Sequence, residues 1–143
     1  MKLWLPILLA FTAIAAETKI AMKDLPAAVQ KAVAAQSSGA VIRGLTKEVD
    51  HGKIEYEAEL TVNGHGKDIS FDSQGNVVTV EEEVKLESLP AAARATIKKA
   101  AQGGTLRKVE SITEGGKSFY EASIRTSGKS HEIQVDASGA KIK

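Results

Sequence analysis

The stretch Ile54-Glu55-Tyr56-Glu57-Ala58-Glu59-Leu60-Thr61-Val62 decides the fold. Apolar or aromatic side chains fall on every even position and Glu or Thr on every odd one. That two-residue period belongs to a strand with one buried and one wet face. Asp50-His51-Gly52 precedes it and Asn63-Gly64-His65-Gly66 follows it. Both are turn chemistry, and Asp72-Ser73-Gln74-Gly75 supplies another turn before Val77 to Val84. Turns this short force antiparallel neighbours, so the segment reads as a β-meander. Upstream the period changes to that of a helix: Leu25, Ala28, Val29, Ala32 and Val33 share one face. Pro26 suits a first helical turn, Asp24 is a cap candidate, and Gly39 ends the run.

The whole pattern then returns. Residues 24–79 align without a gap on residues 88–143, an offset of 64, with about 15 identities over the 56 positions. Leu25-Pro26-Ala27-Ala28 becomes Leu89-Pro90-Ala91-Ala92, Tyr56-Glu57-Ala58 becomes Tyr120-Glu121-Ala122, and Asp72 with Gly75 becomes Asp136 with Gly139. Ser88 takes the place of Asp24 as the cap candidate, and Gly103-Gly104 that of the terminating glycine. The repeat predicts an α+β protein of two tandem modules, each a helix packed on an antiparallel β-meander of three to four strands. The expected boundaries are 17–84 and 85–143. The second copy stops at Lys141-Ile142-Lys143, so its last strand is short, with lysines that discourage edge pairing.

Residues 1–16 read as a leader. Lys2 gives a positive start, Leu3 to Ile14 an apolar run, and Ala13-Ile14-Ala15-Ala16 small residues for cleavage after Ala15 or Ala16. The run falls short of the roughly 20 residues that span a bilayer, so no membrane span is expected after cleavage and the destination is periplasmic or secreted. Lys2 leaves with the leader, so 19 basic residues become 18 against 18 acidic. This neutral balance argues against nucleic acid or an anionic membrane as partner. The chain has no cysteine, so neither disulfides nor thiolate metal sites hold it.

Leu-Pro-Ala-Ala opening a helix, Tyr-Glu-Ala in a strand, and a strand closing on Asp-x-x-Gly with a hydrophobic pair together resemble the PepSY-like family. That family is also described as β-lactamase-inhibitor-like. The motifs stand as Leu25-Pro26, Tyr56-Glu57-Ala58 and Asp72 to Val78, and again as Leu89-Pro90, Tyr120-Glu121-Ala122 and Asp136 to Ile142. The resemblance covers nearly all of the chain after the leader, twice. It implies a bacterial periplasmic or secreted protein, a helix-on-sheet module, and a binding or inhibitory role without catalytic residues.

Candidate chemistry is sparse. His51, His65 and His131 form no helical pair, and His65 with Asp68 is at most a loose surface site, so no metal site is expected. Asp72 and Asp136 lack the alternating ligands of a calcium loop and fit side-chain-stabilised turns better. Glu81-Glu82-Glu83 reads as a solvated strand end or linker. No G-x-S-x-G, S-x-x-K or phosphate-loop pattern occurs, which argues against an enzyme. Glu55, Glu57 and Glu59 line the wet face of one strand; Phe119, Glu121 and Arg125 line its counterpart. Phe119 stands where the first copy has Glu55, either packing at the module junction or anchoring a partner. These six are the candidate partner-binding residues. The sequence therefore predicts an exported, cofactor-free, non-enzymatic protein that engages an unidentified envelope protein through its open sheet face. A periplasmic small-ligand or metal-ion binder is the alternative.

Overall fold

The computed structural model describes residues 17–50 and 52–142. The leader expected at 1–16, its cleavage site and His51 lie outside them. In chain order the elements are β1 (Thr18–Lys19), α1 (Ala27–Gln36), β2 (Val41–Asp50), β3 (Lys53–Val62), β4 (His65–Asp72) and β5 (Val77–Glu83). They continue as α2 (Ala91–Ala100), β6 (Thr105–Glu114), β7 (Lys117–Thr126) and β8 (Lys129–Val135). The class is α+β: all eight strands form one sheet in the order of the sequence, every neighbouring pair antiparallel. The helices occupy the β1–β2 and β5–β6 connections.

Turn chemistry fixes the registers. Asn63 and Gly64 both take positive φ, 50° and 84°, the two-residue hairpin turn whose twist suits the flanking strands. It sets Val62 opposite His65, and hence Ala58 opposite Ile69 and Tyr56 opposite Phe71. At the next corner the Asp72 carboxylate accepts hydrogen bonds from the backbone N–H of Gln74 and of Asn76, both at 2.9 Å. The Asn76 side chain donates a third to the other oxygen. Asp136 accepts from Ser138 and Ala140 in the same way. These hydrogen bonds hold both aspartates below the usual carboxylate range.

The helix starts differ from expectation. Pro26 and Pro90 themselves occupy the cap position, and no side chain caps either helix. Asp24 and Ser88 sit one short 3-10 turn earlier, where the Ser88 hydroxyl donates to the Lys85 carbonyl at 2.7 Å. The reason is local: a residue before proline is driven out of the helical region, so Leu25 and Leu89 are extended and push the helix start downstream.

Both helices lie on one face of the sheet, over two separate clusters. Leu25, Val29 and Val33 pack with Tyr56, Ala58, Leu60, Ile69 and Phe71. Leu89, Ala93 and Ile97 pack with Val109, Ala122, Ile124, Ile133 and Val135. Between them runs the β5–β6 ladder, from Thr79 opposite Glu114 to Glu83 opposite Glu110. Val80 and Ile112 are the only aliphatic side chains in that ladder.

Candidate functional site

The opposite face carries neither helix, and its side chains read off the register. One rung runs Gly44, Glu59, Asp68, Glu81, Ile112, Phe119 across β2 to β7. The adjacent rung runs Lys19, Thr46, Glu57, Ser70, Thr79, Glu114, Lys117. Three residues of this face are buried although no described element covers it: Thr46 at 5 % exposure, Ile112 at 5 % and Glu110 at 8 %. Side chains of the neighbouring strands therefore cover them at β2 and β6, so the face is recessed there into a shallow concave trough, as a twisted and bulged sheet allows. Bulges interrupt the ladder at Ile42/Gly44, Ser70/Phe71 and Leu106/Lys108.

The six residues expected from the sequence all lie on this face, but in two groups. Glu55, Glu57 and Glu59 stand on β3, and Phe119, Glu121 and Arg125 on β7. Four strand spacings separate them, roughly 19 Å, so the two groups form one surface rather than one pocket. Glu121 accepts a hydrogen bond from the Gln134 side chain at 2.7 Å. Arg125 lines a shallow cleft of about 460 Å³ with Arg107 and His131.

Between those groups the sequence missed the residues that join them. Glu59, Asp68 and Glu81 are successive cross-strand neighbours, an arrangement of like charges that opposes pairing. Arg43 relieves it through an ion pair with Asp68 at 3.4 Å. Lys108 relieves the next row through Glu110 at 2.8 Å. The residual repulsion is visible in the proton affinities. Half-burial, then Asp68, Glu17, Glu81 and Glu59, push Glu57 up to about 7. Burial also raises Asp68 against the pull of Arg43, and it raises Glu81 with help from Glu110 and Glu121.

The run Glu81-Glu82-Glu83 does close a strand, with Glu83 exposed, but Glu81 and Glu82 are half-buried rather than solvated. It lies in β5, a central strand, and alternates faces. Glu82 points to the helix side, where His65 Nε2 lies 3.0 Å and Lys67 Nζ 3.6 Å from its carboxylate. The suggested His65–Asp68 grouping fails for the same reason: three residues apart in a strand means opposite faces. His131 is exposed on β8. The one acidic grouping compact enough for a metal ion, among the described residues, is Glu17, Glu57 and Glu59, whose oxygens lie within 4.8 Å of one another. Glu17 was invisible to sequence reasoning because it sits 40 residues from Glu57 and only strand pairing brings it near.

Comparison with known proteins follows the same lines. A family model described as "Putative beta-lactamase-inhibitor-like, PepSY-like" matches residues 13–78 and 54–143. No curated protein sequence matches the chain. Among solved structures, a "putative periplasmic" protein of Bacteroides eggerthii superposes with TM-score 0.70 at 17% identity, covering 83% of this chain and 86% of its own. A DUF2874 family protein of Bacteroides uniformis gives 0.67 at 20%, covering 82% and 86%. A BLIP-like protein of Bacteroides fragilis gives 0.61 at 17%, covering 81% and 82%. At these identities the likeness is one of fold.

Proposed function

The chain belongs to the PepSY-like, β-lactamase-inhibitor-like family, and from this premise we propose that it is an exported, non-catalytic protein that binds another envelope protein. Its two units are residues 17–84 and 85–143, and the binding surface is the concave sheet face. The observation that carries this reading is the burial of Thr46, Glu110 and Ile112 on a face without helices. A shallow trough lined by carboxylates at one end and by Ile112 and Phe119 at the other suits a protein surface better than a small molecule, which needs enclosure. Between the copies, Tyr56 and Tyr120 match and pack towards the helices, while the trough carries both a matched pair, Glu57 and Glu121, and a mismatched one, Glu55 and Phe119. The neighbours' description as periplasmic and BLIP-like agrees with an envelope role.

A photo-crosslinking residue placed at Phe119 and at Glu81, in living cells, tests the reading. Adducts to one envelope protein from both positions, and not from Lys31 or Arg94 on the helices, are expected. Equal adducts from the helix positions, or none from the trough, would overturn it.

A further inference from the structure

We propose that this chain associates with further copies of itself head to tail. The β1–β2 end of one copy docks on the β8 edge of the next, as the second module docks on the first within the chain. The strand that joins the modules, β5, lies between β4 and β6. The repeat offset of 64 carries Glu81–Val84 onto Glu17–Ile20, so β1 is the counterpart of the end of β5. Its pairing agrees bond for bond. Thr18 faces Lys47 and Lys19 faces Thr46, as Glu82 faces Ser111 and Glu83 faces Glu110. The Ile20 N–H donates to the Leu45 carbonyl at 3.0 Å, as that of Val84 donates to Val109 at 2.9 Å.

The other end of the sheet carries the start of the same strand. Lys141, the counterpart of Val77, bridges to Val135 as Val77 pairs with Phe71. The Ile142 N–H then donates to the Gln134 carbonyl at 2.8 Å. Beyond that point no strand covers β8 from Lys129 to Ile133 among the described residues. A second copy's β1 brings the part of the joining strand that β8 lacks. Seating its Glu17–Ile20 there reproduces the β4–β5 ladder. Glu132 opposite Glu17 stands for Asp68 opposite Glu81, and His131 opposite Thr18 stands for Lys67 opposite Glu82.

Charge favours unlike ends. Arg107 holds beside Glu132 the place that Arg43 holds beside Asp68, and it lines a cleft with Arg125. Neither Arg107 nor Arg125 makes an ion pair among the described residues. The β1 end gathers Glu17, Glu57 and Glu59 with oxygens within 4.8 Å of one another. The cationic end therefore meets the acidic one head to tail, whereas two like ends repel. Exposed aliphatic side chains match as well. Val77, Val78 and Thr113 line one depression at the β5–β6 junction. Their counterparts are Lys141, Ile142 and Val49, and both Ile142 and Val49 are exposed, as is Ile54 opposite Val49. Docking brings Ile142 of one copy beside Val49 of the next and covers both. A contact between unlike patches leaves each free end competent, so copies add in a row. None of this depends on what the trough binds.

Analytical ultracentrifugation of the exported protein, with Glu17 retained, tests the contact. The interface is small, so a Kd of roughly 10⁻⁴ M per contact is expected. From about tenfold below to about tenfold above that value, the mean mass should climb past the dimer. A protein that stays monomeric, or that halts at a dimer, would overturn the proposal. Gln134 turns its carbonyl outward to Ile142, so Glu132, two residues away, turns its N–H outward too. Glu132→Pro removes that donor at an edge position where proline is tolerated. It should weaken association about tenfold with the circular dichroism of the monomer unchanged. Glu132→Ala keeps the N–H and should associate within about threefold of the parent; equal loss in both variants would overturn the ladder. Glu132→Pro retains its β1 end, so adding it to the parent should cap the rows and lower their mean mass. A variant without that effect would overturn the head-to-tail polarity.

Discussion

Gly75, in the turn between β4 and β5, lies so close to Ala28 of α1 that a methyl group on its Cα would stand 2.6 Å from the Ala28 carbonyl oxygen. Its φ of +81° also belongs to the left-handed region. Two demands meet at one residue: the turn needs a backbone that L side chains avoid, and the helix needs the space of a missing Cβ. Gly139 and Ala92 repeat the relationship at the same 2.6 Å.

Gly75→Ala is therefore expected to destabilise the protein by about 2 kcal/mol or more, combining left-handed strain with a backbone clash that no rotamer relieves. Gly64→Ala is the comparison. It shares a positive φ, but nothing stands within 4 Å of its added Cβ, so only about 1 kcal/mol should be lost. Urea denaturation of the two variants side by side measures the difference. Equal losses would remove the packing part of the argument.

Glu57 makes stability depend on pH in a defined direction. Its folded pKa of about 7 lies above the ordinary 4.5, so the folded protein holds the proton more tightly than the unfolded chain. The resulting stabilisation is complete below about pH 4.5 and is lost as pH rises through 7. Glu17, Glu59, Asp68 and Glu81 act on it as like charges, while Lys19 stands two strands away on its rung and Arg43 is paired with Asp68. Glu57→Gln should raise the melting temperature at pH 8 and change it little at pH 4.5. A variant that melts below the parent at pH 8 would contradict this account.

Phe119→Glu restores the charge that the first copy carries at this position. It places a fourth acid on the rung of Glu59, Asp68 and Glu81 and exposes the side of Ile112. A loss of about 1 kcal/mol is expected from the lost cross-strand pair and added repulsion. Most of it should be recovered in 0.5 M salt, which screens the charge but not the pair's apolar part. Loss that is insensitive to salt would assign the effect to packing alone.

The two hydrophobic clusters also make a testable pair. Val33→Ala and Ile97→Ala each empty a fully buried site, one per cluster, and should cost about 2–4 kcal/mol for Ile97 and somewhat less for Val33. Hydrogen exchange should accelerate mainly in β3 and β4 for the first and in β7 and β8 for the second. Uniform acceleration in both variants would show that the clusters behave as one.

Much of this architecture is written in local chemistry. The alternation of Ile54 to Val62, the Asn63-Gly64 turn and the Asp72 and Asp136 turns act within a few residues of themselves, so periodicity and turn chemistry reveal them. The helix starts misled because Pro26 and Pro90 act on the residue before them as well as on their own N–H. The trough was legible only in part. Glu55, Glu57, Glu59 and Phe119 show on their own strands, but Glu17, Thr46, Asp68, Glu81 and Ile112 join them through strand pairing, which no short window contains. The parity of Glu81, Glu82 and Glu83 was likewise hidden until β5 was seen between β4 and β6.

The β5–β6 ladder has a mechanical meaning. Each cluster of apolar side chains is closed on its own side of that line, while the line itself is stitched by backbone hydrogen bonds with Glu83 facing Glu110 across it. Pulled apart from its ends, the molecule should shed the two-pair β1–β2 ladder and then part along this line, like a perforation between two stamps. The concave face straddles this line, so its curvature is set by a seam softer than either half. Whatever rests in the trough therefore clamps the two halves together, and should raise the force needed to separate them before it raises the stability of either one.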